Sequence, residues 1–119
     1  MVVVEDDVGM RQALQRFLLA AGYRTRAFGS AEALVAAGGA SDADCLVLDI
    51  HLPGMSGTDL YARLGRPRPP AVFISASDGP GVRLAVARTG AGPVLPKPFL
   101  GSDLLDAIAG AMGQGAART

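Results

Sequence analysis

The sequence predicts an α/β domain: five parallel strands in one doubly wound sheet, in the order 2-1-3-4-5, with helices on both faces. Three observations predict it. Short, wholly apolar runs alternate with stretches of helical periodicity along the 119-residue chain, the pattern of repeated βα units. The second run is polar and the fifth is weak, which suits them to the two edges of a sheet. Right-handed crossovers between parallel strands leave few other orders.

Each element has its own justification. Val2-Val3-Val4 is a first strand, apolar on both faces because both are covered. Met10, Ala13, Leu14, Phe17, Leu18 and Ala21 then recur at three- and four-residue steps, an amphipathic stripe that Gly22 ends. Residues 24–28 are more polar and read as an edge strand. Ser30 N-caps a helix over 31–37, stopped by Gly38-Gly39. Residues 45–48 are a buried strand closed by Asp49, and Pro53-Gly54-Met55-Ser56-Gly57 has loop composition. A short helix over 58–64 places Leu60 and Leu64 one turn apart, and residues 65–70 form a stiff connection. Residues 71–74 are a fourth strand ending at Ser75. Pro80 opens a helix that reaches Thr89 and closes at Gly90. Val94-Leu95 is the last strand. Ser102-Asp103 opens a final helix with Leu105, Ile108 and Met112 inward. On this reading residues 1–112 are one domain, residues 113–119 a frayed tail, and no output domain follows.

The bulk numbers exclude several classes. Half the residues are apolar, yet no apolar run is long enough to span a bilayer. Met1 opens straight onto a strand-like run, with no basic segment of a signal peptide. Eleven acids balance eleven bases, which gives no reason to expect nucleic acid or an acidic membrane as partner. The lone Cys45 precludes an internal disulfide and fits a reducing cytosol; inside an apolar run it reads as core.

The chemistry-bearing residues gather at strand ends. Glu5-Asp6-Asp7 follow the first strand, Asp49 the third, Ser75 the fourth and Lys97 the fifth. In the flavodoxin-like order 2-1-3-4-5, ligands bind beyond the carboxyl ends of the strands, at the switch point between strands 1 and 3. Lys97 is the only lysine among eleven bases. A lysine is a compact charge on a flexible stem, able to follow a group that arrives and leaves. Three neighbouring carboxylates are costly unless a cation joins them, and oxygen ligands of this kind suit Mg²⁺. Its spare coordination sites would hold a phosphoryl group, with Lys97 and Ser75 on the other oxygens and Asp49 as nucleophile forming an acyl phosphate. Asp7 reads as an acid in the first turn of the following helix.

Four fragments, in this order and spacing, resemble the response-regulator receiver domain of two-component signalling. They are Val4-Glu5-Asp6-Asp7, Leu48-Asp49-Ile50-His51-Leu52-Pro53-Gly54-Met55-Ser56-Gly57, Ile74-Ser75-Ala76 and Lys97-Pro98-Phe99. The resemblance runs from Val2 to about Met112 and leans toward the nitrogen-fixation regulators. It implies that Asp49 takes a phosphoryl group from a sensor histidine kinase or phosphotransfer protein. It further implies Mg²⁺ on Glu5, Asp6, Asp49 and the backbone carbonyl of His51, a switch hydroxyl at Ser75, a phosphate contact at Lys97 and a cis Lys97-Pro98 bond. A cytoplasmic module is implied, with a downstream protein partner, a phosphorylation-dependent homodimer as one output, and at most slow self-phosphorylation and self-dephosphorylation. The chain departs from the family at Val94, where receivers usually carry an aromatic that follows the switch hydroxyl inward.

Two other functions share these residues. One is a degenerate receiver used only for binding, which Val94 leaves open. The other is a Mg²⁺-dependent phosphatase with an aspartyl nucleophile; such enzymes want a second acid two residues on, where this chain has His51. His51 is read as a backbone ligand, or as a side chain that influences water attack, rather than as a side-chain ligand. Arg63, Arg66 and Arg68 read as a solvated loop, and Arg83 and Arg88 as partner contacts or plain solubility.

Overall fold

The computed structural model describes residues 1–65, 68–76, 79–90 and 92–116, without the side chains of 114–116. The elements are β1 (Val2–Val4), α1 (Val8–Ala20), β2 (Arg26–Phe28), α2 (Ala31–Ala36), β3 (Leu46–Asp49), α3 (Gly57–Arg63), β4 (Ala71–Ser75), α4 (Pro80–Thr89), β5 (Val94–Pro96) and α5 (Gly101–Ala116). The strands pair in parallel in the order β2-β1-β3-β4-β5. This is the predicted doubly wound sheet.

Strand alternation sends successive side chains to opposite faces, and each face has its own core. Val2, Val4, Leu46, Leu48, Ala71 and Phe73 pack with Leu34 of α2, Leu60 of α3 and Val86 of α4. Val3, Val47, Val72 and Ile74 pack with Leu14 and Leu18 of α1 and Leu104, Ile108 and Ala111 of α5. Truncating any fully buried leucine here to alanine should cost roughly 2–5 kcal/mol. No described helix is long and apolar enough to cross a membrane.

The helix ends follow their predicted chemistry. Asp7 accepts a 2.7 Å hydrogen bond from the Met10 amide, and Ser30 a 3.0 Å bond from the Ala33 amide. Pro80 sits in the first turn of α4, and Gly90 ends it in the left-handed region at φ 67°.

Four readings are corrected. Ala13 and Ala21 are exposed, so α1 turns in only Met10, Leu14, Phe17 and Leu18. Helix α3 starts at Gly57, not 58, because the Ser56 hydroxyl caps it by accepting from the Asp59 amide at 3.1 Å. Helix α5 buries Leu104, Ile108 and Ala111, while Leu105 and Met112 are half-buried. Both stripes have helical spacing and share Ile108, so the docking of the helix chooses between them, not the period. A Cβ on Gly101 would lie 2.5 Å from the Phe17 ring, so this glycine sets how closely α5 approaches α1. The helix also runs on to Ala116; Gly113 lowers its helical propensity by about 1 kcal/mol, which alone does not end a helix. The rest of the expected tail, 117–119, lies outside the described residues.

The arginine cluster also changes character. Arg66 lies outside the described residues and Arg63 is exposed, but Arg68 is not simply solvated. Its guanidinium lies 4.4 Å from the centre of the Tyr61 ring and donates a 2.8 Å hydrogen bond to the Tyr61 carbonyl. Arg83 and Arg88 are both exposed on α4.

Candidate functional site

Sheet register assembles the site. Val4 pairs with Leu48, so Glu5 and Asp49 each stand one residue further along two adjacent strands. Asp49 pairs with Ile74, and the next residue of β4 is Ser75, which pairs with Pro96. Lys97 follows at once, and its amide donates to the Ser75 carbonyl at 2.8 Å. Each chemical residue is therefore the one at which its strand leaves the apolar core.

The buried polar residues among those described are Glu5, Asp49 and Ser75, at 0%, 3% and 0% exposure. Buried charges need partners, and here Lys97 supplies one for both acids. Its Nζ lies 2.7 Å from Glu5 Oε1 and 3.1 Å from Asp49 Oδ2. Asp49 Oδ1 accepts from the His51 amide at 2.9 Å, and Glu5 Oε2 from the Asp7 amide at 3.2 Å. The Glu5 carbonyl accepts from Arg11 at 3.0 Å.

The electrostatics are unbalanced. Burial pushes the Glu5 carboxyl up to about 7; the Lys97 bond pulls it down, while Asp49 adds to the rise. Burial alone would lower the Lys97 ammonium, but the Glu5 and Asp49 carboxylates outweigh it and hold Lys97 above its ordinary value. Asp6 is exposed, and its carboxylate comes within 4.8 Å of those of Glu5 and Asp49. Three carboxylates against one ammonium leave two net negative charges when all are ionised. An all-oxygen group of that charge and size, open on the Asp6 side, fits a hard divalent cation.

The structure thus brings Glu5, Asp6, Asp49 and Lys97 together, with Ser75 beside them. Asp7 stands apart as the cap of α1. Two contributions were not foreseen. The first is the His51 side chain: its Nε2 lies 3.0 Å from Ser75 Oγ. The only signal for this was the place of His51 on a loop leaving β3 next to β4. The second is Gly57. A Cβ there would collide with the Asp49 carbonyl, so only glycine lets α3 start against the end of β3. Val94 pairs with Phe73 and is half-buried against the α2, α3 and α4 side of the core.

The response regulator receiver domain family matches residues 1–109. The chain belongs to this family. The receiver domain is 37% identical over 111 residues to Nodulation protein W of Bradyrhizobium diazoefficiens, covering 92% of this chain and 49% of that protein. It is 33% identical over 117 residues to the transcriptional regulatory protein FixJ of Azorhizobium caulinodans, covering 96% and 55%. It thus spans about half the length of these two relatives. Among solved structures it matches a CheY-like response regulator receiver domain protein from Methanospirillum hungatei with a TM-score of 0.87. That match has 21% identity and covers 99% of this chain and 96% of the other, a likeness of fold.

Proposed function

We propose that Asp49 accepts a phosphoryl group from the phosphohistidine of a sensor histidine kinase or phosphotransfer protein, and that the loaded domain then binds a downstream protein partner. The observation that carries this is the bridging of two buried carboxylates, Glu5 and Asp49, by the chain's single lysine. An arginine would lock two oxygens in one plane; Lys97 can leave a carboxylate and follow a phosphoryl oxygen.

Transfer forms a bond from an Asp49 carboxylate oxygen to phosphorus and breaks the donor's P–N bond. The electron pair returns to the donor imidazole, which takes up a proton. Lys97 neutralises a phosphoryl oxygen and Ser75 donates its hydroxyl to another. Glu5, Asp6 and Asp49, with the His51 backbone carbonyl, would hold Mg²⁺, which supplies further charge neutralisation to the phosphoryl oxygens. Val94 has no polar tip and is half-buried against the core, so the loaded state is read from Ser75 and the start of α4 rather than through an aromatic relay. A homodimer formed on phosphorylation is one form that partner binding takes. The buried free thiol of Cys45 supports a reducing, cytoplasmic setting. The activity is acceptor chemistry, with no more than slow self-phosphorylation and hydrolysis.

The test is intact mass after incubation with Mg²⁺ and a small phosphodonor. A labile gain of one phosphoryl group, abolished by Asp49→Asn, supports the reading. No adduct under any condition favours a binding-only domain, and rapid multiple turnover of phosphomonoesters favours a phosphatase.

A further inference from the structure

Ser75 is wholly buried at the end of β4, yet its Oγ lies 3.0 Å from the ring Nε2 of His51, an exposed residue of the loop that leaves the neighbouring strand β3. The two residues are 24 apart in sequence, so the contact is tertiary and not a turn's own geometry. The same His51 is tied to the acceptor from its other end, its amide donating to Asp49 Oδ1 at 2.9 Å. One residue thus touches both the carboxylate that is to be phosphorylated and the hydroxyl that is to meet the phosphoryl group.

We infer that His51 is a gate on the switch hydroxyl: Ser75 donates its proton to the neutral Nε2 in the unloaded site, and must withdraw it to bind a phosphoryl oxygen. This rests on the acceptor reading of Asp49. A serine hydroxyl has one proton to give. A bond made in the unloaded state and lost in the loaded one opposes loading by its own net worth. His51 is in this role a positioning residue. It does no chemistry on phosphorus, but sets how readily Ser75 is released.

The gate makes two kinds of prediction. In the unloaded protein, the ¹⁵N shift of the His51 ring should report Nε2 as the unprotonated nitrogen at a pH where the ring is neutral. Ser75→Ala should shift that nitrogen. A protonated Nε2, or a ring signal unmoved by Ser75→Ala, overturns the gate without any ligand being added. The second test is a double-mutant cycle on the binding of beryllofluoride, a phosphoryl mimic, with Mg²⁺ held constant. His51→Ala should tighten binding roughly three- to tenfold, about the worth of one neutral hydrogen bond. In the Ser75→Ala background the same change should have no effect. His51→Gln, which can still accept from the serine, should return binding toward the wild-type value. Equal effects of His51→Ala in both backgrounds, or weaker binding of beryllofluoride by His51→Ala than by the wild type, overturn the gate alone. Failure of the wild-type protein to bind beryllofluoride overturns the acceptor reading, and the gate with it.

Discussion

Removing the Glu5 charge should change how stability depends on pH, because the carboxyl is buried. The Glu5 carboxyl is fully buried, and burial lifts it from the ordinary 4.5 to about 7 in the metal-free protein. Between those values the folded chain keeps a proton that the unfolded chain has released. Stability contributed by this group is therefore complete below pH 4.5 and is lost as pH rises through about 7. At about 1.4 kcal/mol for each pH unit, the loss is about 3 kcal/mol. In Glu5→Gln the group cannot ionise, so this part of the pH dependence vanishes. Urea unfolding in EDTA, from pH 5 to 8, measures both proteins. The wild type should lose about 2.5 kcal/mol relative to the variant across that range. Saturating Mg²⁺ should recover most of it, because the cation takes the place of the proton. Curves for the two proteins that stay parallel from pH 5 to 8 would refute the burial argument.

Other outcomes follow from the same contacts. Lys97→Met removes the shared ammonium and should destabilise the Mg²⁺-free protein by roughly 3 kcal/mol at pH 8. The loss should be smaller at pH 5, where Glu5 is protonated; chemical denaturation at the two pH values measures it. Gly57→Ala forces a methyl against the Asp49 carbonyl and should cost roughly 1–3 kcal/mol in urea unfolding, with amide shifts centred on Asp49 and Ile50. Loading with phosphate should shift NMR signals at Ser75 and the start of α4 strongly, and leave the Val94 methyls little changed. Large rotamer changes at Val94 and along β5 would show that the strand relays the switch despite lacking an aromatic.

The parts of this fold that a sequence states outright are those set by local chemistry. The wholly apolar runs of β1, β3 and β4 are buried on both faces, and their periodicity needs no tertiary knowledge. Polar β2 lies at one edge because its partners lie on one side only. Asp7, Ser30, Pro80 and Gly90 mark helix ends by the hydrogen bonds and dihedral angles that their side chains permit. The grouping of Glu5, Asp6, Asp49, Ser75 and Lys97 was legible for a related reason: each stands where an apolar run stops, and parallel register brings those stops to one edge.

What was not legible depends on how elements dock. The two stripes of α5 differ by one residue, and only the packing against Phe17 and the sheet selects Leu104 over Leu105. Gly57 looks like a loop glycine until the Asp49 carbonyl is seen against it. Arg68 reads as a solvated charge until the Tyr61 ring is placed beneath it. The family resemblance implies a backbone role for His51, but its ring reaches a strand 24 residues away, and no local pattern carries that.

The most direct test of the central claim is to find the phosphorylated atom. After loading with a phosphohistidine donor and Mg²⁺, borohydride reduces an aspartyl phosphate to homoserine, and peptide mass spectrometry places it. The prediction is homoserine at position 49 and nowhere else, absent in Asp49→Asn. A stable phosphate on Ser75 or His51, or homoserine at position 6, with Asp49 untouched, would contradict it.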